Sequence, residues 1–176
     1  MKIGTKSVLY GAHCLLIHPV FVLIAWIKLY GWPWDPRLWI AFFVHDLGYW
    51  GKPNIDGEEG VTHPELGAFL MHKWFDRSFK VNGSTLRPLY WYNLCYYHSR
   101  SLSKKDGRPC SKLYAADKLA MALEPKWLYL PRVNWTGEIN EYMEICVRGF
   151  TSQDEWYDFV KEHLRKRAYE HTGISN

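Results

Sequence analysis

Between Ala41 and Lys52 the chain reads AFFVHDLGYWGK: an apolar run that ends in adjacent His45 and Asp46, with a glycine-rich turn directly after. Burying an imidazole and a carboxylate at the end of an apolar helix is costly unless something pairs them. A divalent cation does so, taking nitrogen from the neutral imidazole and oxygen and negative charge from the carboxylate. Helical neighbours point about 100° apart, so a shared ion would sit broadside to this segment and draw its other ligands from elsewhere. A histidine bonded to a helix-terminal carbonyl beside a solvated aspartate would give the same dipeptide without metal, so the rest of the chain decides. Four more residues stand in similar settings: His18 in an apolar stretch, His63 in THPELGA, His98 in YYHSR and Asp117 in LYAADKLAMAL. Each lies within or at the end of a predicted helix. Other histidines read differently. His13 precedes His18 by five residues, about 140° around one helix, and reads as a core-satisfied or partly exposed residue. His72 lies about 180° from His63 on a shared helix and should not join its site. His163 and His171 read as surface residues.

The elements that must position these side chains are helical throughout, with no run of strands. A first helix is expected from Lys6 to Tyr30, with Pro19 as an internal kink. Gly31-Trp32-Pro33-Trp34 breaks it. Asp35 then caps a helix opening at Pro36 and running to about Tyr49. Thr62 and Glu65 read as a capping box for a third helix that reaches about Phe75, and Arg77–Ser84 reads as a polar loop. A fourth, aromatic helix is expected from Thr85 to about Tyr97, followed by a basic loop. Ser111 is placed to cap Lys112 to Leu123. Glu124-Pro125 ends that helix, and Trp127–Trp135 reads as an irregular connection. Thr136 to about Phe150 forms the next helix, and Ser152 with Glu155 caps the last, to about Tyr169. The tail after Gly173 is expected to fray. The fold class is therefore all-α: one domain over residues 1–176, a bundle of about six to seven helices.

Composition narrows the function. Hydrophobic residues make up 48% of the 176 and aromatics 17%, enough for a sizeable core with surplus for a pocket wall or an interface, a homo-oligomeric one included. A net charge of +4 is too mild for a nucleic-acid groove and suits small anionic ligands. The four cysteines, Cys14, Cys95, Cys110 and Cys146, are far apart and in apolar settings, which fits reduced thiols in a cytoplasmic protein and disfavours a zinc ribbon. The most apolar stretch, Val8–Tyr30, is interrupted by His13, His18, Pro19 and Lys28. It lacks the run of ~20 residues a membrane span needs and has no signal-peptide cleavage pattern, so no membrane partner is expected.

The ordered set His18, His45-Asp46, Asp117 resembles the HD-domain superfamily of metal-dependent phosphohydrolases. There a histidine on a first helix precedes an HD pair ending a second, with a distal aspartate on a later one, and these four residues match that pattern. His63 and His98 resemble the extra histidines of the binuclear branch, which includes the HD-GYP-type phosphodiesterases. The resemblance covers about Val8 to Leu123, and the helices of residues 136–170 would pack across that core. Two departures matter: the GYP segment is absent, so hydrolysis of cyclic dinucleotides is not supported, and the loop after the pair is lengthened to LGYWGK.

The resemblance implies one or two divalent ions (manganese, iron, cobalt, nickel or zinc) and hydrolysis of a small phosphate ester, a nucleotide by family precedent. Lys52, Arg100, Lys104 and Lys118 are candidate substrate cations. Asp46 would bridge the ions, and Lys52, Glu58 and Glu59 are candidates for the catalytic group. Two other readings stay open: a di-iron oxygenase like the inositol and phosphonate oxygenases of the same superfamily, and a catalytically silent ligand-binding protein on the same fold.

Overall fold

The N-terminal apolar stretch folds as two helices, α1 over Ile3–Tyr10 and α2 over His18–Tyr30. The chain turns away at Gly11, where a Cβ would stand 1.6 Å from Glu138 Oε1. Only glycine lets the backbone come that close. Pro19, expected as a kink, instead occupies the first turn of α2, where its missing N–H breaks no helical bond. This computed structural model describes residues 1–81, 84–86, 88–146 and 148–173.

α3 runs Pro36–Val44 and starts as the sequence predicts, with Asp35 accepting a hydrogen bond from the Arg37 amide at 3.0 Å. It ends earlier than expected: His45 is its C-cap, and a single 3₁₀ turn follows at Leu47–Tyr49. α4 spans Pro64–Phe75. The expected capping box is absent there. Gly60–Thr62 is itself a 3₁₀ turn, and the Thr62 hydroxyl donates to Glu59 O while accepting from Lys52 Nζ. Two short strands, β1 (Phe79–Val81) and β2 (Ser84–Leu86), pair antiparallel with Phe79 opposite Leu86. They replace part of the expected loop and the first turn of the expected fourth helix, so α5 covers only Tyr90–Tyr96.

The region read as a basic loop contains α6, Arg100–Lys105, capped by Ser99. α7, Lys112–Leu123, falls where predicted, although Ser111 bonds Leu94 O at 2.7 Å rather than capping. α8, Lys126–Thr136, replaces the expected irregular connection. Its Pro131 forfeits a bond to the carbonyl of Trp127, in the first turn and at an exposed residue. α9 is Glu138–Ile145 and α10 is Gln153–Thr172, opened by Ser152 accepting from the Glu155 amide at 3.2 Å. The tail expected to fray lies outside the described residues.

The result is all-α, with ten α-helices among the described residues rather than six or seven. α7 is the central element, packed against α2 on one side and α10 on another. Ala115, Ala116, Ala120 and Ala122 are fully buried along it, and such small side chains let its neighbours approach closely. One core joins Val22, Trp26, Phe42, Met71, Leu113 and Leu119. A second, beneath α8 to α10, is built from Tyr129, Val133, Ile139, Trp156 and Tyr157. All four cysteines are free thiols. Among the described residues no helix is long and apolar enough to cross a membrane.

Candidate metal centre

Five segments deliver six side chains to one place. His18 opens α2, His45 caps the end of α3, Asp46 follows it, His63 stands at the N-cap of α4, His98 lies two residues past α5, and Asp117 projects from the middle of α7. All six are at most 9% exposed. The approach of α4 to the His-Asp turn is tight, since a Cβ on Gly48 would stand 1.9 Å from His63 O. That closeness carries His63 to the same centre as His45 and Asp46.

Three histidines share one local device. The Nδ1 of His45, His63 and His98 each meets the carbonyl three residues earlier: Phe42 O at 3.0 Å, Gly60 O at 2.9 Å, and Cys95 O. A carbonyl can only accept, so each Nδ1 carries a ring proton and each ring turns its Nε2 inward, bare whenever the ring is neutral. Metal-ligating histidines are held this way by a partner on the other nitrogen.

The inward-facing atoms form two sets joined at Asp46. Asp46 Oδ2 lies 3.3 Å from His18 Nε2 and 3.1 Å from His45 Nε2; Asp117 Oδ1 lies 3.1 Å and 3.8 Å from the same two nitrogens. Asp46 Oδ1 lies 3.4 Å from His63 Nε2 and 3.2 Å from His98 Nε2. Within each set the ligand atoms are all within 4.8 Å of one another.

These atoms lack protein partners. His18 Nε2, His45 Nε2 and Asp46 Oδ2 are fully buried with no hydrogen bond. His63 Nε2 and His98 Nε2 face each other at 3.1 Å, two lone pairs with no proton of their own between them. Buried acceptors arranged to face one another are costly, and a cation at the focus removes the cost. The donor set, imidazole nitrogen and carboxylate oxygen without thiolate, suits divalent transition metals. The residues are thus positioned to bind one or two metal ions, with Asp46 common to both sets.

Electrostatics agree. Burial works against ionised Asp46, yet the facing imidazoles, His45 foremost and His18 with it, outweigh it and hold the carboxyl well below its ordinary range. Burial likewise opposes ionised Asp117, and Lys118, whose Nζ sits 2.8 Å from Oδ2, together with His18 overcomes it. Burial opposes charge on His45 too, but Asp46 and Asp117 lift it to about 10. The two carboxylates pull protons onto nearby imidazoles just as they would pull a metal cation. His63 is held well below its usual value, by burial first and by His98 second.

A cleft of about 770 Å³ opens beside the centre, reaching His18 and Asp117 at its floor. Arg100 and Lys118 line it, as do Arg148, Arg167 and His163, the last read from the sequence as a surface residue. Burial, then the nearby Arg167 and Arg100 charges, push His163 below its usual pKa, so these cations share one mouth. Three aromatic rings, Tyr142, Trp156 and Phe159, form part of the wall.

The other proposed catalytic and substrate residues lie elsewhere. Lys52 is turned to Thr62 Oγ1 at 2.6 Å. Glu58 and Lys104 are exposed, and Glu59 is exposed and bonded to Asn54 Nδ2 at 2.6 Å. None of the four lines the cleft, so their assignment finds no geometric support. His72 pairs with Asp76 at 3.2 Å, apart from the cluster as expected.

His13 is partly buried and outside both ligand sets, as expected, but its place beside the site was not foreseen. It lines the cleft, its ring centroid 5.8 Å from that of His18. The angular argument against it assumed one continuous helix, and the break at Gly11 removes that premise. Comparisons with family models, curated proteins and solved structures return no match to this chain.

Proposed function

We propose that this chain is a metal-dependent phosphohydrolase of the HD-domain type, acting on a small phosphate ester, with nucleotides the first class to test. The observation that carries the reading is the cleft: the ligand set of His18, His45, Asp46 and Asp117 reaches it through His18 and Asp117, and Arg100, Arg148 and Arg167 line the same space. Those three arginines make no ion pair among the described residues. Their charge is therefore free to attract an anion toward the cluster. Bound divalent cations would supply a water of lowered pKa and positive charge for phosphoryl oxygens. The protein's own share is to fix the imidazole tautomers, keep both carboxylates ionised and hold the substrate's anionic part at the mouth.

The test is metal analysis joined to a phosphate-release screen. Protein loaded separately with manganese, iron, cobalt, nickel or zinc is offered nucleoside mono-, di- and triphosphates, in air and without dioxygen. The expected result is up to two ions per chain and phosphate release that persists anaerobically. Turnover that stops without dioxygen would instead favour the oxygenase reading. Nucleotide-induced thermal shifts with no phosphate released from any ester would favour a silent binding protein.

A further inference from the structure

A hydrogen-bonded chain made by Glu138, Ser7 and His13 ends at the wall of the cleft, outside the metal ligands. Glu138 is the first residue of α9 and completely buried. Its carboxylate accepts from Ser7 Oγ at 2.8 Å, Thr136 Oγ1 at 2.6 Å, Tyr142 OH at 3.1 Å and the Ala12 amide at 3.3 Å. Ser7 Oγ also lies 2.8 Å from His13 Nδ1. A hydroxyl has one proton to give. Ser7 gives it to the carboxylate, so its oxygen accepts from His13, and His13 carries its ring proton on Nδ1. Nε2 is left with a lone pair, and no described residue donates to it. The ring is held against Tyr49 at 4.3 Å between centroids, and Tyr49 in turn stacks on His63 at 3.9 Å. Position, tautomer and ring plane are thus all set before any ligand arrives.

A fixed neutral acceptor repels phosphate oxygens, which are acceptors themselves. The donors that a phosphate ester carries close to its phosphate are hydroxyl groups. We propose that His13 Nε2 accepts a hydrogen bond from a hydroxyl of the substrate, so that the site selects phosphate esters bearing a sugar hydroxyl near the scissile group. The phosphate half of this statement rests on the phosphohydrolase reading; the tautomer does not. An analogue lacking the hydroxyl would leave Nε2 facing the ligand without a partner, and sites built to bond a hydroxyl reject such analogues. For a single neutral bond the expected discrimination is about tenfold. Ser7 and Glu138 are positioning residues: they touch no substrate and act by holding His13.

Two measurements test the assignment. The first is the ¹⁵N spectrum of the histidine rings in metal-free protein, which reads the tautomer without any turnover. His13 should be protonated on Nδ1 in the wild type and lose that single form in Ser7→Ala; an Nε2-protonated His13 in the wild type would overturn the proposal. The second is kcat/KM for phosphate release from adenosine 5′-monophosphate and its 2′,3′-dideoxy counterpart by metal-loaded protein. The wild type should favour the hydroxylated ester about tenfold, and His13→Phe, which keeps a ring against Tyr49, should bring the ratio close to one. An equal ratio in wild type and His13→Phe sinks this inference alone. Phosphate release from neither ester by protein that hydrolyses other nucleotides overturns this inference, and release from no nucleotide in the screen overturns the phosphohydrolase reading with it.

Discussion

Two groups of buried polar side chains lie close together and are built on opposite principles. Around Glu138 every donor has an acceptor: Ser7, Thr136, Tyr142 and the Ala12 amide all converge on one carboxylate. Around Asp46 acceptors face acceptors, and three of the atoms involved have no hydrogen bond at all. The first arrangement is complete in the protein alone and ties α1 and the turn after it to α9. The second lacks that balance and is positioned to bind cations. Burial and residue type are much the same in both; what separates a scaffold from a binding site here is whether the donors and acceptors balance.

Asp46→Ala gives the largest expected effect and the sharpest break of this contrast. It removes the carboxylate common to both ligand sets, so metal content measured by elemental analysis should fall to near zero, and activity with it. The metal-free variant should melt lower than metal-free wild type near neutral pH, because His45 and His18 lose the ionised carboxylate they face, and added metal should not restore it. Loading the wild type at about 1,000 times the dissociation constant should add roughly 4 kcal/mol of stability, reversed by a chelator. Full metal content in Asp46→Ala would refute the centre. His63→Ala and His98→Ala remove ligands from one set only and should each leave about one ion per chain; an unchanged stoichiometry would exclude them.

Glu138→Ala should show the reverse pattern. It deprives Ser7, Tyr142 and the Ala12 amide of their acceptor at once. At the low end of roughly 1–3 kcal/mol for each buried donor left unpaired, about 3 kcal/mol or more should be lost in urea unfolding. Thr136 softens the loss, since its hydroxyl can turn to the carbonyl of Arg132 at 3.1 Å or Val133 at 3.2 Å. Metal content per folded chain should remain at the wild-type level. A variant that kept its stability but lost its metal would show that the two groups are one, and the contrast would fail.

The two groups were also unequally legible in the sequence. His18, His45, Asp46, His63, His98 and Asp117 could be read because charged or ligating side chains are out of place in apolar helices, and that anomaly survives without coordinates. Glu138 carries no such mark. An acidic residue in the first turn of a helix is ordinary, and its partners lie up to 131 positions away. His13 was missed for a related reason. Its angular position was computed on a helix that the Gly11 turn interrupts, and the close approach that keeps residue 11 a glycine is to the distant Glu138 oxygen. The end of α3 at Val44 and the helix through Pro131 were not marked in the local pattern either. Where a side chain's role depends on its own residue type, the sequence suffices. Where it depends on a contact closed across the fold, local pattern has nothing to register.

The smallest expected effect tests whether the contrast holds beyond these two groups. His72 is partly buried and faces a carboxylate, as the metal ligands do, with Nδ1 3.2 Å from Asp76 Oδ2. Asp76, however, belongs with the balanced kind: it accepts from the Trp91 and Tyr92 amides at 3.0 and 2.9 Å and so anchors the start of α5. Removing His72 leaves those two bonds in place. His72→Ala should therefore cost about 1 kcal/mol and leave metal stoichiometry and affinity unchanged. If metal content fell with it, partner balance would not be the property that marks the ligands, and proximity of histidine to carboxylate would have to replace it.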